Sequence, residues 1–116
     1  FLAQVTTPDN RVSPDALAAR LRITKLELAI ALGLGRDAVS RKARVQARKT
    51  QSRMRDIVEI INRATPWAGS ELSAFAWYRS QPLPSFGDKT AEDLVREGRG
   101  EAVKAYLSRI AGGGYA

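Results

Sequence analysis

Apolar residues in this chain recur at intervals of three and four, the spacing that places side chains on one face of an α-helix. The clearest stripes are Met54, Ile57, Val58, Ile61 and Val103, Tyr106, Leu107, Ile110. Alternating strand patterns are nearly absent, and only residues 5–7 are β-prone. The chain is therefore predicted to be all-α.

Helix-start and helix-stop signals divide the first half of the chain. Ser13-Pro14-Asp15 predicts a helix from Pro14 to about Leu21, and the residues before it, up to Val12, are expected to form an extended or frayed arm. Thr24 is predicted to cap a second helix that Gly33 ends. A short third helix should start at Asp37, and Thr50 is expected to cap a longer one from Gln51 to Arg63.

Pro66 and Gly69 are predicted to break the chain, which gives a domain over residues 1–65 and a second over residues 66–116. Residues 54–61 are candidates for a core that both halves share. Ser70 should cap a helix with Leu72, Phe75 and Ala76 on its inner face. Two prolines exclude helix over 81–87. Thr90 with Asp93 predicts a capping box, Gly98 a left-handed stop, and the last helix should run from about Glu101 to Ala111.

The composition narrows the chemistry. The 116 residues suffice for one compact unit or two very small ones, and they contain neither cysteine nor histidine. Disulfides, thiolate nucleophiles, zinc clusters and imidazole catalysis are excluded, so no cofactor or metal is expected and the chain is predicted not to be an enzyme. The enzymatic alternative would use the carboxylates of Glu92, Asp93, Glu97 and Glu101, but their place on a solvated helical face near helix starts explains them without chemistry, and no nucleophile or metal ligand joins them.

No apolar run is long enough to cross a membrane and no secretion signal is seen, so a cytoplasmic location is expected. The first residue is Phe1, which indicates that the start of the natural chain is missing.

The net charge of +7 is concentrated in one stretch. Residues 36–55 carry eight basic side chains against Asp37 alone, which also sums to +7, so the remainder of the chain is neutral. A positive first half and a neutral second half suggest two different partners.

The spacing Ala29-x3-Gly33-x5-Val39 is the skeleton of a DNA-binding helix-turn-helix, with Leu28, Leu32 and Leu34 at further inward positions. Lys42 stands near a place where such motifs often carry an apolar residue, so the recognition helix is expected to be displaced or short. The alternative is an ordinary helical hairpin with a solvated charged face.

If the motif binds DNA, the early residues of its second helix reach base edges and later basic residues contact phosphates. The base-reading candidates are Arg36, Asp37, Ser40 and Arg41, and the phosphate-binding candidates are Lys42, Arg44, Arg48 and Lys49. Because residues 36–55 contain no aromatic side chain for base stacking, duplex DNA is favoured over single-stranded RNA. A homodimer reading two half-sites is expected.

The second half holds both tryptophans and all three tyrosines. A small core explains such bulky residues, but Trp77 and Tyr78 lie off the predicted inner face of their helix, so at least one of them should face a second surface that could bind a partner.

A family resemblance emerges from the order of the residues in this half. It runs through Trp77-Tyr78-Arg79, Pro82-Leu83-Pro84, Gly87, Thr90-Ala91-Glu92-Asp93-Leu94-Val95, Gly98, Val103 and Ile110-Ala111-Gly112-Gly113-Gly114-Tyr115-Ala116. Together they resemble the toxin-binding domain of the Xre/MbcA/ParS antitoxins, and the upstream helix-turn-helix is the arrangement that this family shows.

The resemblance implies an antitoxin, itself not catalytic, paired with a RES-domain toxin that consumes NAD. It implies that the C-terminal domain obstructs the active-site cleft of the toxin, while the N-terminal domain dimerises and can bind operator DNA. The candidate toxin-binding residues are Trp77, Tyr78, Leu83, Gly98, Gly113 and Tyr115, and Trp77, Leu83 and Leu94 are also candidate core residues. Residues 112–116, with three glycines and Tyr115, are suited to plugging the cleft. The alternative function is a plain helix-turn-helix regulator whose second half is an oligomerisation or effector module.

Overall fold

The computed structural model describes residues 2–110, and they fold as α-helices joined by short turns. No extended strand occurs within this range; two isolated bridges join Thr6 to Val12 and Leu83 to Lys89. The all-α prediction is confirmed. The helices are α1 (Leu2–Val5), α2 (Pro14–Leu21), α3 (Lys25–Leu32), α4 (Asp37–Ser40), α5 (Lys42–Val45), α6 (Arg48–Ala68), α7 (Glu71–Ser80), α8 (Ala91–Arg96) and α9 (Gly100–Arg109), with a 3-10 turn over Pro84–Phe86.

Side-chain caps fix several helix starts where the sequence predicts them. The Ser13 hydroxyl accepts a hydrogen bond from the Ala16 amide at 3.2 Å. Thr24 with Glu27, and Thr90 with Asp93, form reciprocal capping boxes. These contacts satisfy amides that have no partner inside the helix, which is why α2, α3 and α8 begin where they do.

Helix α6 differs most from the prediction. It begins at Arg48, so Thr50 lies inside it and is buried rather than acting as a cap. It also continues through Pro66 to Ala68, and Gly69, with φ of 99°, ends it. In this last turn the ring of Trp67 packs on that of Trp77 in α7. The predicted boundary between residues 65 and 66 therefore lies within a continuous helix.

The N-terminal arm is not extended or frayed. It contains α1, and both Val5 and Val12 lie in the core. Gln51 ties the arm to α6, because its amide accepts from the Val12 backbone at 2.8 Å and donates to the Val12 and Val45 carbonyls at 3.1 and 2.9 Å. Buried polar groups need such partners, and the arm is thereby fixed.

The inner face of α7 is also different from the prediction. Ala74, Phe75 and Tyr78 are buried, whereas Ala76 is exposed and Leu72 is only half-buried. The helix packs on α6 along one side and on α8 along another, so its buried surface is rotated relative to the simple stripe. Helix α9 begins one residue before the predicted start, and Ala111, its predicted end, lies outside the described residues.

The two predicted halves share one hydrophobic core, which contains side chains from Val5 to Leu107. Gly33 at the end of α3 approaches the α8 backbone so closely that a Cβ placed on it would lie 2.8 Å from the Arg96 carbonyl oxygen. Arg53 donates to the carbonyls of Leu32 and Arg96 at 2.6 and 3.2 Å, and so joins the C-terminal ends of α3 and α8. Residues 36–55, which we call the basic segment, therefore belong to the same folded unit as the second half of the chain.

Candidate functional site

The helix-turn-helix skeleton has the burial that the motif requires, but its second helix is very short. Ala29 and Val39 are buried, and Gly33 adopts a left-handed conformation with φ of 70°. Helix α4 then spans only four residues before Arg41 becomes extended, with φ of −90° and ψ of 126°. The expectation of a short recognition helix is confirmed, while DNA binding by this motif stays a prediction.

All eight predicted DNA-binding residues are exposed. Asp37 and Ser40 lie on α4, which Arg36 and Arg41 flank. Lys42 and Arg44 lie on α5, and Arg48 and Lys49 begin α6. Arg41 is paired with Asp37 at 3.4 Å, an exposed contact that solvent screens. The basic residues further along have structural partners: Arg53 joins α3 and α8, and Arg55 donates to the Asn10 carbonyl.

The predicted partner-binding residues of the second half do not form one surface. Tyr78 and Leu83 are 0% and 1% exposed and belong to the core, so the free chain does not present them to a partner; their role in toxin binding stays a prediction. Leu94 is buried as well. Gly98 is exposed and has φ of 81°, as expected of a helix stop. Gly113 and Tyr115 lie outside the described residues.

Trp67, which the sequence patterns did not single out, lies at the surface next to Trp77. Its side chain is 47% exposed, and its ring meets that of Trp77 edge to face, with centroids 5.3 Å apart. Trp67 comes from the end of α6 and Trp77 from α7, so the reversal of the chain at Gly69 brings them together. We call these two residues the tryptophan pair. The prediction that Trp77 or Tyr78 faces a second surface holds for Trp77, which is half-buried.

The carboxylates of the enzymatic alternative have structural partners. Glu92 pairs with Arg79 at 3.2 Å, and Asp93 belongs to a capping box. A hydrogen bond from Lys89 lowers the pKa of Glu97, and one from Lys104 lowers the pKa of Glu101. A general acid needs a raised carboxyl pKa, so these shifts are in the wrong direction for that role.

Lys104 forms the most enclosed ionic cluster described. Its Nζ lies 2.8 Å from Asp56, 3.0 Å from Glu59 and 2.7 Å from Glu101. Burial alone would lower the pKa of Lys104, but its hydrogen bonds to the three carboxylates raise it above its ordinary value. The lysine therefore stays charged and joins α6 to α9, which is a structural role.

Two further observations limit the chemistry of the described residues. Within residues 2–110, no group of acidic side chains is arranged to hold a metal ion. None of the helices in that range combines the length and apolar content needed to cross a bilayer.

Comparison with known families finds a similarity in the second half of the chain. Residues 63–113 match the model of the antitoxin Xre/MbcA/ParS C-terminal toxin-binding domain. This segment is therefore similar to an antitoxin toxin-binding domain. The match includes both members of the tryptophan pair, the capping box of α8 and the whole of α9. No curated protein and no solved structure is significantly similar to the chain.

The domain family that residues 63–113 match is a toxin-binding module and not an enzyme domain. It supports an antitoxin role for the chain, with a toxin protein as partner. The resemblance noted in residues 77–116 is confirmed at this level, since the matched segment covers most of them. The match begins at Arg63 within α6, so it does not cover the helix-turn-helix skeleton or the basic segment.

Proposed function

We propose that this chain is the antitoxin of a type II toxin–antitoxin system and that it binds and blocks a RES-domain toxin that consumes NAD. The match of residues 63–113 to the toxin-binding domain carries the antitoxin part of the proposal. The RES class of the toxin rests on the sequence resemblance around Trp77-Tyr78-Arg79 and on the glycine-rich ending at Gly112-Gly113-Gly114. A cytoplasmic setting, where NAD is available, follows from the same proposal.

The manner of inhibition is proposed from the sequence beyond α9. Three glycines in succession let a backbone approach a cleft closely, and Tyr115 supplies a ring and a hydroxyl that could occupy the place of NAD. Gly113 and Tyr115 are the proposed plugging residues. Helix α9 is fixed to α6 through Lys104, so the segment that follows starts from a rigid support.

The decisive experiment for the antitoxin role is co-expression with the product of the neighbouring toxin gene. The chain should restore growth and abolish NAD consumption by the purified complex. Deleting residues 113–116 should leave the complex assembled but restore part of the NAD consumption. A neighbour that kills cells despite this chain would contradict the antitoxin role, and full inhibition by the truncated chain would contradict the plug alone.

A second activity, binding of duplex operator DNA by a homodimer, is proposed for the basic segment. The supporting observation is that its cations at Arg36, Arg41, Lys42, Arg44, Arg48 and Lys49 are all exposed. Clustered cations of this kind neutralise phosphates and release counterions. With the toxin as a second partner, the protein would repress its own operon; without a toxin, the alternative of a plain transcriptional regulator would apply.

Changing Arg41 to alanine tests the DNA proposal. If Arg41 reads a base, Arg41→Ala should weaken operator binding by about 1–3 kcal/mol and reduce sequence preference. Arg109→Ala, an exposed arginine on α9, is the control and should leave DNA affinity unchanged. Titrations at several salt concentrations, together with the mass of the free protein in solution, would measure both effects. Equal affinity of Arg41→Ala and Arg109→Ala for operator DNA would contradict this activity as proposed. A monomer that binds the DNA as tightly as expected of the dimer would contradict it too.

A further inference from the structure

The tryptophan pair has the properties of an anchor for a protein partner. Among residues 63–110, the described part of the toxin-binding domain, Trp67 is the one large apolar side chain in the exposed class. Tryptophan is strongly enriched among the residues that dominate binding energy at protein interfaces. An exposed indole in a domain whose family binds toxins is therefore a candidate contact.

Trp67 is held in place before any partner arrives. Its ring packs edge to face on Trp77, with an angle of 87° between the two planes. Trp77 is half-buried against the core, so it supports Trp67 from behind. A side chain that is already fixed loses little conformational entropy on binding, which raises the affinity gained from burying it.

Polar residues within four positions of Trp67 in the sequence are ordered by contacts with other helices. One helical turn earlier on α6, the Arg63 guanidinium donates to the Lys104 carbonyl at 3.1 Å and to the Ser108 hydroxyl at 2.8 Å. At the start of α7, Glu71 pairs with Arg20. An apolar centre with a polar rim is the usual anatomy of a protein–protein contact.

We propose that Trp67 is the main anchor of the toxin on this chain, with Trp77 as its support. The toxin should present an apolar pocket that accepts one indole, with a hydrogen-bond acceptor for the ring N–H, because a buried indole N–H needs a partner. This inference rests on the proposed antitoxin function. It assigns affinity to the tryptophan pair and leaves inhibition to the segment after α9.

The test is the affinity of the full chain for the purified product of the neighbouring toxin gene, measured by calorimetry. Trp67→Ala should raise the Kd by about 30-fold or more, the range of a dominant interface residue, and Trp67→Phe should raise it less. Ile30→Ala is the matched control, since Ile30 is 49% exposed but lies outside the matched segment, and it should change the Kd by less than about threefold.

Two further measurements distinguish a loss of affinity from a loss of inhibition and from unfolding of the variant. At saturating concentration, the Trp67→Ala chain should still inhibit NAD consumption fully, because the segment after α9 is intact. The melting temperature of the free Trp67→Ala chain shows whether a loss of affinity reflects unfolding. If that melting temperature falls markedly, the smaller rise in Kd expected for Trp67→Phe becomes the test of the anchor.

If the unchanged chain fails to bind the toxin, the proposed function itself fails. If it binds and Trp67→Ala binds equally well, the anchor is refuted while the antitoxin role stands. If Trp67→Ala converts a dimer of this chain to monomers and leaves the Kd for the toxin unchanged, a second copy of the chain occupies this surface, and the anchor is also refuted.

Discussion

At the scale of single residues, Tyr78 has the least expected environment. Its side chain is fully buried, and no described group lies within hydrogen-bonding distance of its hydroxyl. Burial, followed by the negative charges of Glu92 and Asp56, raises the pKa of Tyr78 well above its ordinary value, so the phenol stays protonated. A buried hydroxyl without a partner costs about 1–3 kcal/mol.

The change Tyr78→Phe removes this hydroxyl and keeps the ring, which stacks on Phe75 with centroids 5.9 Å apart. We expect the free energy of unfolding to rise by about 1 kcal/mol, because the desolvation cost disappears while the packing remains. Urea denaturation would measure it. Tyr106→Phe, at a half-buried position, is the control and should be nearly neutral. A loss of stability in Tyr78→Phe would show that the hydroxyl is hydrogen-bonded in solution.

Tyr78 also shows why burial was mispredicted at this position. The apolar stripe through Leu72, Phe75 and Ala76 assumes that one neighbour covers one face of α7, whereas α7 packs on both α6 and α8. With these two packing partners, Ala74, Phe75 and Tyr78 are buried and Trp77 is half-buried. The orientation of neighbouring helices is not contained in the local pattern.

At the scale of elements, capping could be predicted and proline tolerance could not. Ser13, Thr24 and Thr90 cap helices through contacts with residues three positions on, so the local sequence contains all the information needed. The continuation of α6 through Pro66 has no such local signal, and the last turn of the helix carries Trp67, whose ring packs on Trp77 of α7. The same continuation places Trp67 on a helix beside Trp77, and this contact was not visible in the sequence.

Pro66 leaves a measurable weakness in α6. Proline has no amide hydrogen, so the Asn62 carbonyl receives no helical hydrogen bond from residue 66. Pro66→Ala should raise the free energy of unfolding by about 1–2 kcal/mol, since the restored bond and better helix propensity outweigh the greater freedom of the unfolded chain. Thermal melting would show it.

Pro84→Ala is the natural comparison for this prediction. Pro84 occupies the first position of the 3-10 turn, where its fixed φ is favourable and a missing amide costs nothing. Its replacement should lower stability by up to about 1 kcal/mol, the opposite sign. If Pro66→Ala were instead the destabilising change, α6 would not run through residue 66 as described.

At the scale of the whole molecule, the division into two domains stays a prediction, and the two predicted halves share one core. The difference in charge between the halves is real, but Met54, Ile57 and Ile61 of α6 lie in a core that also contains residues of α8 and α9. Surface charge is set by exposed residues and core continuity by buried ones, so a boundary drawn from composition need not coincide with a boundary in packing. The helix-turn-helix skeleton and the segment that matches the toxin-binding domain therefore share one core, and we expect them to unfold together.

A substitution at Gly33 tests the contact between the two halves of the chain. A Cβ at this position would meet the Arg96 backbone of α8 at 2.8–2.9 Å, and Gly33 also has φ of 70°. Gly87 has a similar φ of 64°, but nothing lies within 4 Å of its Cβ position. Gly87→Ala should therefore cost only the strain of a left-handed alanine, about 1 kcal/mol, whereas Gly33→Ala should cost about 2–4 kcal/mol because the two halves must also separate.

The difference between the two variants isolates the contact between α3 and α8. In denaturant titrations we expect Gly33→Ala to shift one cooperative transition to lower denaturant, seen equally by tryptophan fluorescence, which reports the second half, and by helical circular dichroism. Equal losses in Gly33→Ala and Gly87→Ala would mean that α3 does not rest on α8. Two separate transitions would restore the independent domains that the charge distribution suggests, and would also remove the rigid link between the basic segment and the toxin-binding domain.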